Sequence, residues 1–188
     1  MIKIISRVLF VSLFIVSCQK EKQQNPFEIT KNRIGLLTNE IKIKQLDSIF
    51  AKDSVVRIAT NDKYLNNKNE IEVFEKGGAK LLILEPNNEG DSTSTIENIQ
   101  IIDPRYKTAS GLSSNSTFKD IKDHYEISKI NNTLSTAVIF IDSIQAYFTI
   151  DKKELSKDFE FTTDKKIKVE DIPDSAKIKN FWIHWNSN

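Results

Sequence analysis

The chain has one cysteine, two histidines, five glycines and four prolines among 188 residues, and each scarcity removes a class of protein. One cysteine leaves no intrachain disulfide and no thiolate zinc site, so the fold must hold by burial alone. The two histidines, His124 and His184, have no metal-like spacing. The glycines form neither a phosphate-cradling loop nor a Gly-x-Ser-x-Gly elbow, and Gly77-Gly78 reads as part of a hairpin. Charge of one sign is missing too: 27 basic residues stand against 26 acidic ones. Such a surface lacks the concentrated basic face that nucleic acid requires. No apolar run reaches the roughly 20 residues of a membrane-spanning helix. No cofactor, no metal, no catalytic residue and no nucleic-acid partner are therefore expected.

What is present begins at the N-terminus. Lys3 and Arg7 form a basic start, an apolar run covers Val8 to Val16, and Ile15-Val16-Ser17-Cys18 has the lipobox pattern. Residues 1–17 are read as a lipoprotein signal peptide, with Cys18 as the acylated residue carrying palmitate and diacylglycerol. Cleavage removes Lys3 and Arg7 and takes the formal charge from +1 to −1. Residues 18–26 are read as a flexible tether, because Gln19 to Asn25 contains no apolar residue. Gln19 is not Asp, so the inner-membrane retention signal of enteric lipoproteins is absent, and an outer-membrane location follows, on the periplasmic face or the cell surface. Lys20-Glu21 resembles the charged export signal of surface lipoproteins in Bacteroidota; a generic polar tether reads the same way. Five Asp-Ser pairs, starting at Asp47, Asp53, Asp91, Asp142 and Asp174, resemble the O-glycosylation acceptors of that group or serve as turns and caps.

The remainder repeats itself weakly. Gly35-Leu36-Leu37-Thr38-Asn39 is followed by Ile43, Leu46 and Phe50; Gly111-Leu112-Ser113-Ser114-Asn115 is followed by Phe118, Ile121 and Tyr125. Both sets fall at i, i+3 and i+7, a helical stripe, with Thr38 or Asn39 and Ser116 or Thr117 as N-caps. Strand runs follow each: Val55–Ala59, Glu70–Glu75 and Ala79–Leu84 in the first copy, Thr136–Asp142 and Ile144–Ile150 in the second. The last strands match best, Ile96-Glu97-Asn98-Ile99-Gln100-Ile101 against Ile178-Lys179-Asn180-Phe181-Trp182-Ile183. Segments 85–95 and 152–176 read as loops, with a short helix around Lys153–Lys157. The pattern predicts an α+β fold of two tandem repeats, residues 27–106 and 107–188. Each is expected to be a helix packed on a three- or four-stranded antiparallel sheet.

Residues 99–125, which include Asp103-Pro104-Arg105-Tyr106-Lys107-Thr108 and then Gly111 and Ser116-Thr117-Phe118, resemble a motif of Bacteroidota-type lipoproteins with no established activity. That resemblance implies location and fold and carries no chemistry. A looser likeness is to small outer-membrane assembly lipoproteins and to tandem-repeat β-lactamase inhibitor proteins. This chain departs from them in having one helix per repeat and no disulfide.

Two places stand out as candidate surfaces. In the last strand, Phe181, Ile183 and Trp185 are expected to face the core, which puts Trp182 and His184 on the other face. That face is either a half-exposed strand surface or a place for a partner or an aromatic-stacking ligand. Pro104 should end a strand, Asp103 should cap the turn, and Arg105 should pair with a carboxylate or reach an external anion. A groove between the repeats, lined by Arg105, Tyr106, Trp182 and His184, is the expected binding site. The leading functional expectation is a membrane-anchored, non-enzymatic binding or assembly module whose partner is a protein or envelope component. An inhibitor of a secreted or periplasmic enzyme comes second. A carboxylate-dependent hydrolase, with Asp120, Asp123 and Asp142 converging, comes third.

Overall fold

A computed structural model describes residues 25–58, 70–160 and 162–185. Cys18, the signal segment and most of the tether lie outside the described residues. Two sheets make up the fold. The larger is built from alternating segments: β4 (Asp53–Ile58), β5 (Glu70–Glu75), β6 (Lys80–Pro86), β7 (Ile96–Ile101), β9 (Lys129–Asn132), β10 (Thr136–Ile141), β11 (Ala146–Asp151) and β12 (Asn180–His184). Its order is β4-β5-β6-β7-β12-β11-β10-β9, antiparallel throughout. Two four-stranded meanders thus meet through their last strands. Gln100 faces Trp182 at the centre of that junction, flanked by Ile101–Phe181 and Ile99–Ile183. Only Gln100 and Trp182 are also matched in the sequence correspondence of the final strands; the antiparallel pairing exchanges the two flanking matches, Ile99 with Phe181 and Ile101 with Ile183.

The smaller sheet has the order β3-β2-β1-β8, from Leu37–Thr38, Arg33–Ile34, Glu28–Thr30 and Lys107–Thr108. Its β1–β8 pairing is parallel. Both sheets cross the 106/107 division, the large one through β7–β12 and the small one through β1–β8.

The α+β class, with a helix packed on each repeat's sheet, is corrected. Among the described residues there are twelve strands and only two α-helices, α1 (Leu46–Ile49) and α2 (Phe118–His124); the fold is mostly β. The reason is local. Three apolar positions at i, i+3 and i+7 span only two turns, and so short a helix does not sustain itself without tertiary support. Around the first stripe the chain takes a 3₁₀ turn at Ile43–Gln45, then four α-helical residues, and leaves for β4 at Asp53. The second stripe keeps two turns, since Thr117 and Asp120 form a capping box: the Asp120 carboxylate accepts from the Thr117 amide at 2.7 Å. The segment expected to be helical near Lys153–Lys157 forms two 3₁₀ turns, Lys152–Glu154 and Lys157–Phe159.

One side of the large sheet is the core. Ile71, Val73, Leu82, Leu84, Ile99, Ile101, Phe181, Ile183, Phe148, Ile150, Ile139 and Ile141 all point there and are buried. Ile34 and Leu37 of the small sheet, Leu46 of α1, Phe118 and Ile121 of α2, and Phe159 and Ile172 of the final connection complete the same cluster. Burying each such side chain contributes about 1.5–3 kcal/mol. Gly35 shows how tightly the small sheet is set: its φ is +57°, and a Cβ there would lie 2.2 Å from the Pro26 carbonyl oxygen. No helix of the described residues is long and apolar enough to cross a membrane.

Candidate functional site

The opposite side of the large sheet carries no such cover: most of its residues are half-buried, Lys129 and Val56 are exposed, and Glu85 and Asn98 are buried. A single cross-strand row runs through Lys129, Phe140, Tyr147, Trp182, Gln100, Ile83, Glu72 and Val56. Its first half is aromatic. The Phe140 and Tyr147 rings stack with centroids 5.8 Å apart, and Tyr147 and Trp182 lie parallel within 4° at 5.9 Å. The Lys129 ammonium lies 5.8 Å from the Phe140 ring centre and closes the end of the stack. Directly opposed aromatic residues on neighbouring strands meet this way because a sheet places their Cβ atoms about 5 Å apart.

Polar side chains flank the stack on both sides. On one side Gln100 donates to Asn180 Oδ1 at 2.9 Å, and Asn180 donates to Thr149 Oγ1 at 2.9 Å. On the other, Asn98 donates through Nδ2 to Glu85 Oε2 at 2.8 Å and turns its Oδ1 to His184 Nδ1, also 2.8 Å away. A carboxamide oxygen only accepts, so Nδ1 of His184 carries a proton and the ring's tautomer is set. Nε2 of His184 has no protein partner among the described residues. Burial, followed by the charges of Glu85 and Glu97, pushes the Tyr147 phenol up to about 12, so it stays a neutral hydroxyl.

At this end the sheet opens into a cleft of about 600 Å³, bounded by Lys31, Asn98, Phe140, Asp142, Gln145, Tyr147 and His184. The β10–β11 connection forms one wall. Asp142–Ile144 make a 3₁₀ turn and Gln145 follows in the left-handed region, φ 52° and ψ 40°. Among the described residues Gln145 is the one non-glycine residue with positive φ. Its carbonyl accepts from the His184 amide at 2.8 Å, so the strained residue is fastened to the strand bearing the histidine. Lys31 lies in the β1–β2 turn, and its carbonyl accepts from Trp185 Nε1 at 3.0 Å. Trp185 is itself buried, as are Phe181 and Ile183.

The four residues expected to line one groove occupy two separate environments. Trp182 and His184 belong to the open face. Arg105 and Tyr106 lie in the turn after β7. There Arg105 donates to both carboxylate oxygens of Asp103 and to both of Glu75, at 2.8–3.1 Å, and lies 4.6 Å from the Phe27 ring centre. Four of its five N–H groups are engaged, so it fastens the turn. Tyr106 is 3% exposed, packs edge-on against Phe27 at 5.0 Å, and burial holds its phenol well above the ordinary value.

The three carboxylates considered for hydrolysis are each occupied separately: Asp120 caps α2, Asp123 pairs with Lys119, and Asp142 accepts from Ser128 at 2.9 Å. Tyr147, Asn98, Glu85 and Gln145 are the site residues that sequence reasoning missed. Tyr147 alternates with the buried Phe148 and was recoverable as outward-facing, but its neighbours depend on register. Among the described residues no group of three or more His, Cys, Asp or Glu side chains gathers as metal ligands would.

No protein-family model matches the chain, and no curated protein does. Among solved structures, the uncharacterized protein yfeY from Escherichia coli is similar, with a TM-score of 0.51 over 84% of this chain and 99% of that one. At 12% identity the likeness is one of fold.

Proposed function

We propose that this protein is an outer-membrane lipoprotein, anchored through Cys18, that acts as a non-enzymatic binding module with the open face of its large sheet as the contact surface. One observation carries the reading: an aromatic stack of Phe140, Tyr147 and Trp182 lies half-exposed across β10, β11 and β12 on a sheet whose other side is packed into the core. Tyrosine and tryptophan are the residues most enriched where binding energy concentrates. The lipobox and the resemblance of residues 99–125 to Bacteroidota-type lipoproteins support the envelope location, and the polar run after Cys18 gives the face room to work away from the bilayer.

The test is crosslinking in intact cells, comparing the natural chain with a Tyr147→Ala/Trp182→Ala variant, with digestion by an external protease in the same preparation. We expect one stoichiometric adduct that the double substitution removes while the variant still unfolds cooperatively and fractionates with membranes. Cleavage by the protease would put the domain on the cell surface. An adduct unaffected by the double substitution would remove the open face from the proposal, and a Cys18→Ala chain that still fractionates with membranes would remove the anchor.

A further inference from the structure

The cleft beside the aromatic stack has a chemistry of its own. Five polar side chains on its wall have hydrogen-bonding capacity that the described residues leave unengaged: the Tyr147 hydroxyl, His184 Nε2, the Gln145 carboxamide, Asp142 Oδ2 and the Lys31 ammonium. A purely apolar ligand would leave all five unpaired, which is unfavourable on desolvation. An anion would meet Asp142, Glu85 and Glu97 against Lys31 and Lys129. A compact cation would find Asp142 as the one carboxylate on the cleft wall itself, with one oxygen already accepting from Ser128 and the Lys31 ammonium beside it, while Glu85 behind the wall accepts from Asn98.

An uncharged hydroxyl-bearing ligand fits each group. A hydroxyl both donates and accepts, so it pairs with Nε2 of His184 in either protonation state, with either end of the Gln145 carboxamide, with Asp142 and with Lys31. The side chains of Tyr147 and Phe140 provide an apolar wall in the same cleft. A ligand with hydroxyls on its edge and C–H groups on its face is a sugar ring.

The turn supports the same assignment. Left-handed backbone is the position where glycine is most easily accommodated, and a glutamine there is disfavoured. Strain held at a cleft is a mark of a functional position. Gln145 accepts that conformation on the wall of the cleft, where its carboxamide is one of the unengaged groups.

We propose that this cleft is a saccharide site, taking an uncharged sugar unit of an envelope glycan against Tyr147 and Phe140, with its hydroxyls on Gln145, His184, Asp142 and Lys31. This rests on the binding-module reading and names its ligand class. The experiment titrates the full-length, detergent-solubilised protein with maltotriose, cellotriose, mannotriose and triacetylchitotriose. Trigalacturonate and inorganic phosphate are run beside them, and binding is followed calorimetrically and by tryptophan fluorescence.

At least one neutral trisaccharide should saturate with a Kd below about 1 mM. Gln145→Gly and Tyr147→Phe should each weaken it at least tenfold, with the thermal midpoint of Gln145→Gly equal to or above that of the natural chain. Three results would overturn the assignment: no neutral saccharide saturates, both variants bind like the natural chain, or trigalacturonate or phosphate binds more tightly than every neutral sugar. If the saccharides fail while the cellular adduct still depends on Tyr147 and Trp182, the saccharide assignment falls and the binding module stands. If a saccharide binds in this pattern but the adduct ignores those two residues, the cleft assignment holds and the broader face is withdrawn.

Discussion

The two meanders of the large sheet are alike on one side and unlike on the other. Toward the core, Ile71, Val73, Leu82 and Leu84 of the first play the part that Ile139, Ile141, Phe148 and Ile150 play in the second, and all are buried. On the open side the first presents Val56, Glu72 and Ile83, with Lys80 paired to Glu72. The second presents the ring stack and the cleft. Burial constrains the inner side to apolar residues of fitting volume, whereas the outer side is held only by cross-strand neighbours. The ring stack lies in the second half only, where packing asks least, while the cleft beside it also takes Asn98 from the last strand of the first.

Phe148→Ala against Phe140→Ala gives the largest expected contrast. Phe148 is fully buried and packs on Phe181 at 4.6 Å, so its loss should cost about 3–5 kcal/mol. Phe140, half-exposed on the outer row, should cost about 1 kcal/mol, the scale of one cross-strand pair. Denaturant midpoints at a common slope separate the two, and equal losses would show that the outer side is packed as tightly as the inner.

The glycine turns ahead of each meander come next. Gly35→Ala adds a Cβ that collides with backbone at Pro26 and near the Tyr106 ring, whereas Gly111, at φ +88°, has nothing within 4 Å. Gly111→Ala should cost about 1–2 kcal/mol of left-handed strain, and Gly35→Ala about 3 kcal/mol or more. If thermal melts of the two variants coincide, the turns are equivalent after all.

The smallest contrast is electrostatic. In the first half the Arg105 side chain, by hydrogen bonding to Asp103, holds that buried carboxyl below its ordinary value of 3.8. In the second, Asp151 is lowered by the Lys153 amide and Lys179, but it is solvated. A lowered carboxylate pKa stabilises the fold above the ordinary range and is lost as pH falls through the folded value. Asp103→Asn should therefore cost about 1–2 kcal/mol at pH 7, with the gap to the natural chain closing below about pH 4. Asp151→Asn should track the natural chain across that range. A pH series of urea midpoints checks both, and a gap for Asp103→Asn that persisted in acid would show that its effect is not ionic.

Much of each meander was legible because strand periodicity is local. Phe181 and Ile183 alternate with Trp182 and His184 as read, the Lys76-Gly77-Gly78 hairpin joins β5 to β6, and Thr117 caps α2. The helical spacing of Ile43, Leu46 and Phe50 does not produce a helical layer, because the segment is too short to form one. Strands of two or three residues, such as β2, β3 and β8, are shorter than any period. The pairing of β7 with β12 joins positions about 80 residues apart, and nothing in a local pattern encodes that. For the same reason sequence proximity does not separate Arg105 and Tyr106 from Trp182 and His184, and does not reveal that Trp182 lies beside Tyr147 and His184 beside Asn98.

That central pairing also sets an order in time. During synthesis the first meander is complete once Ile101 has emerged, yet the edge of β7 has no partner until Asn180–His184 follow it out of the ribosome. For the intervening stretch of translation a strand edge stands open beside a stripe of isoleucines, a hazard for pairing with the wrong chain. Strand β12 is therefore the keystone: a nascent chain halted just before Asn180 would hold the other seven strands of the large sheet and still present two edges that the folded sheet closes, one on β7 and one on β11.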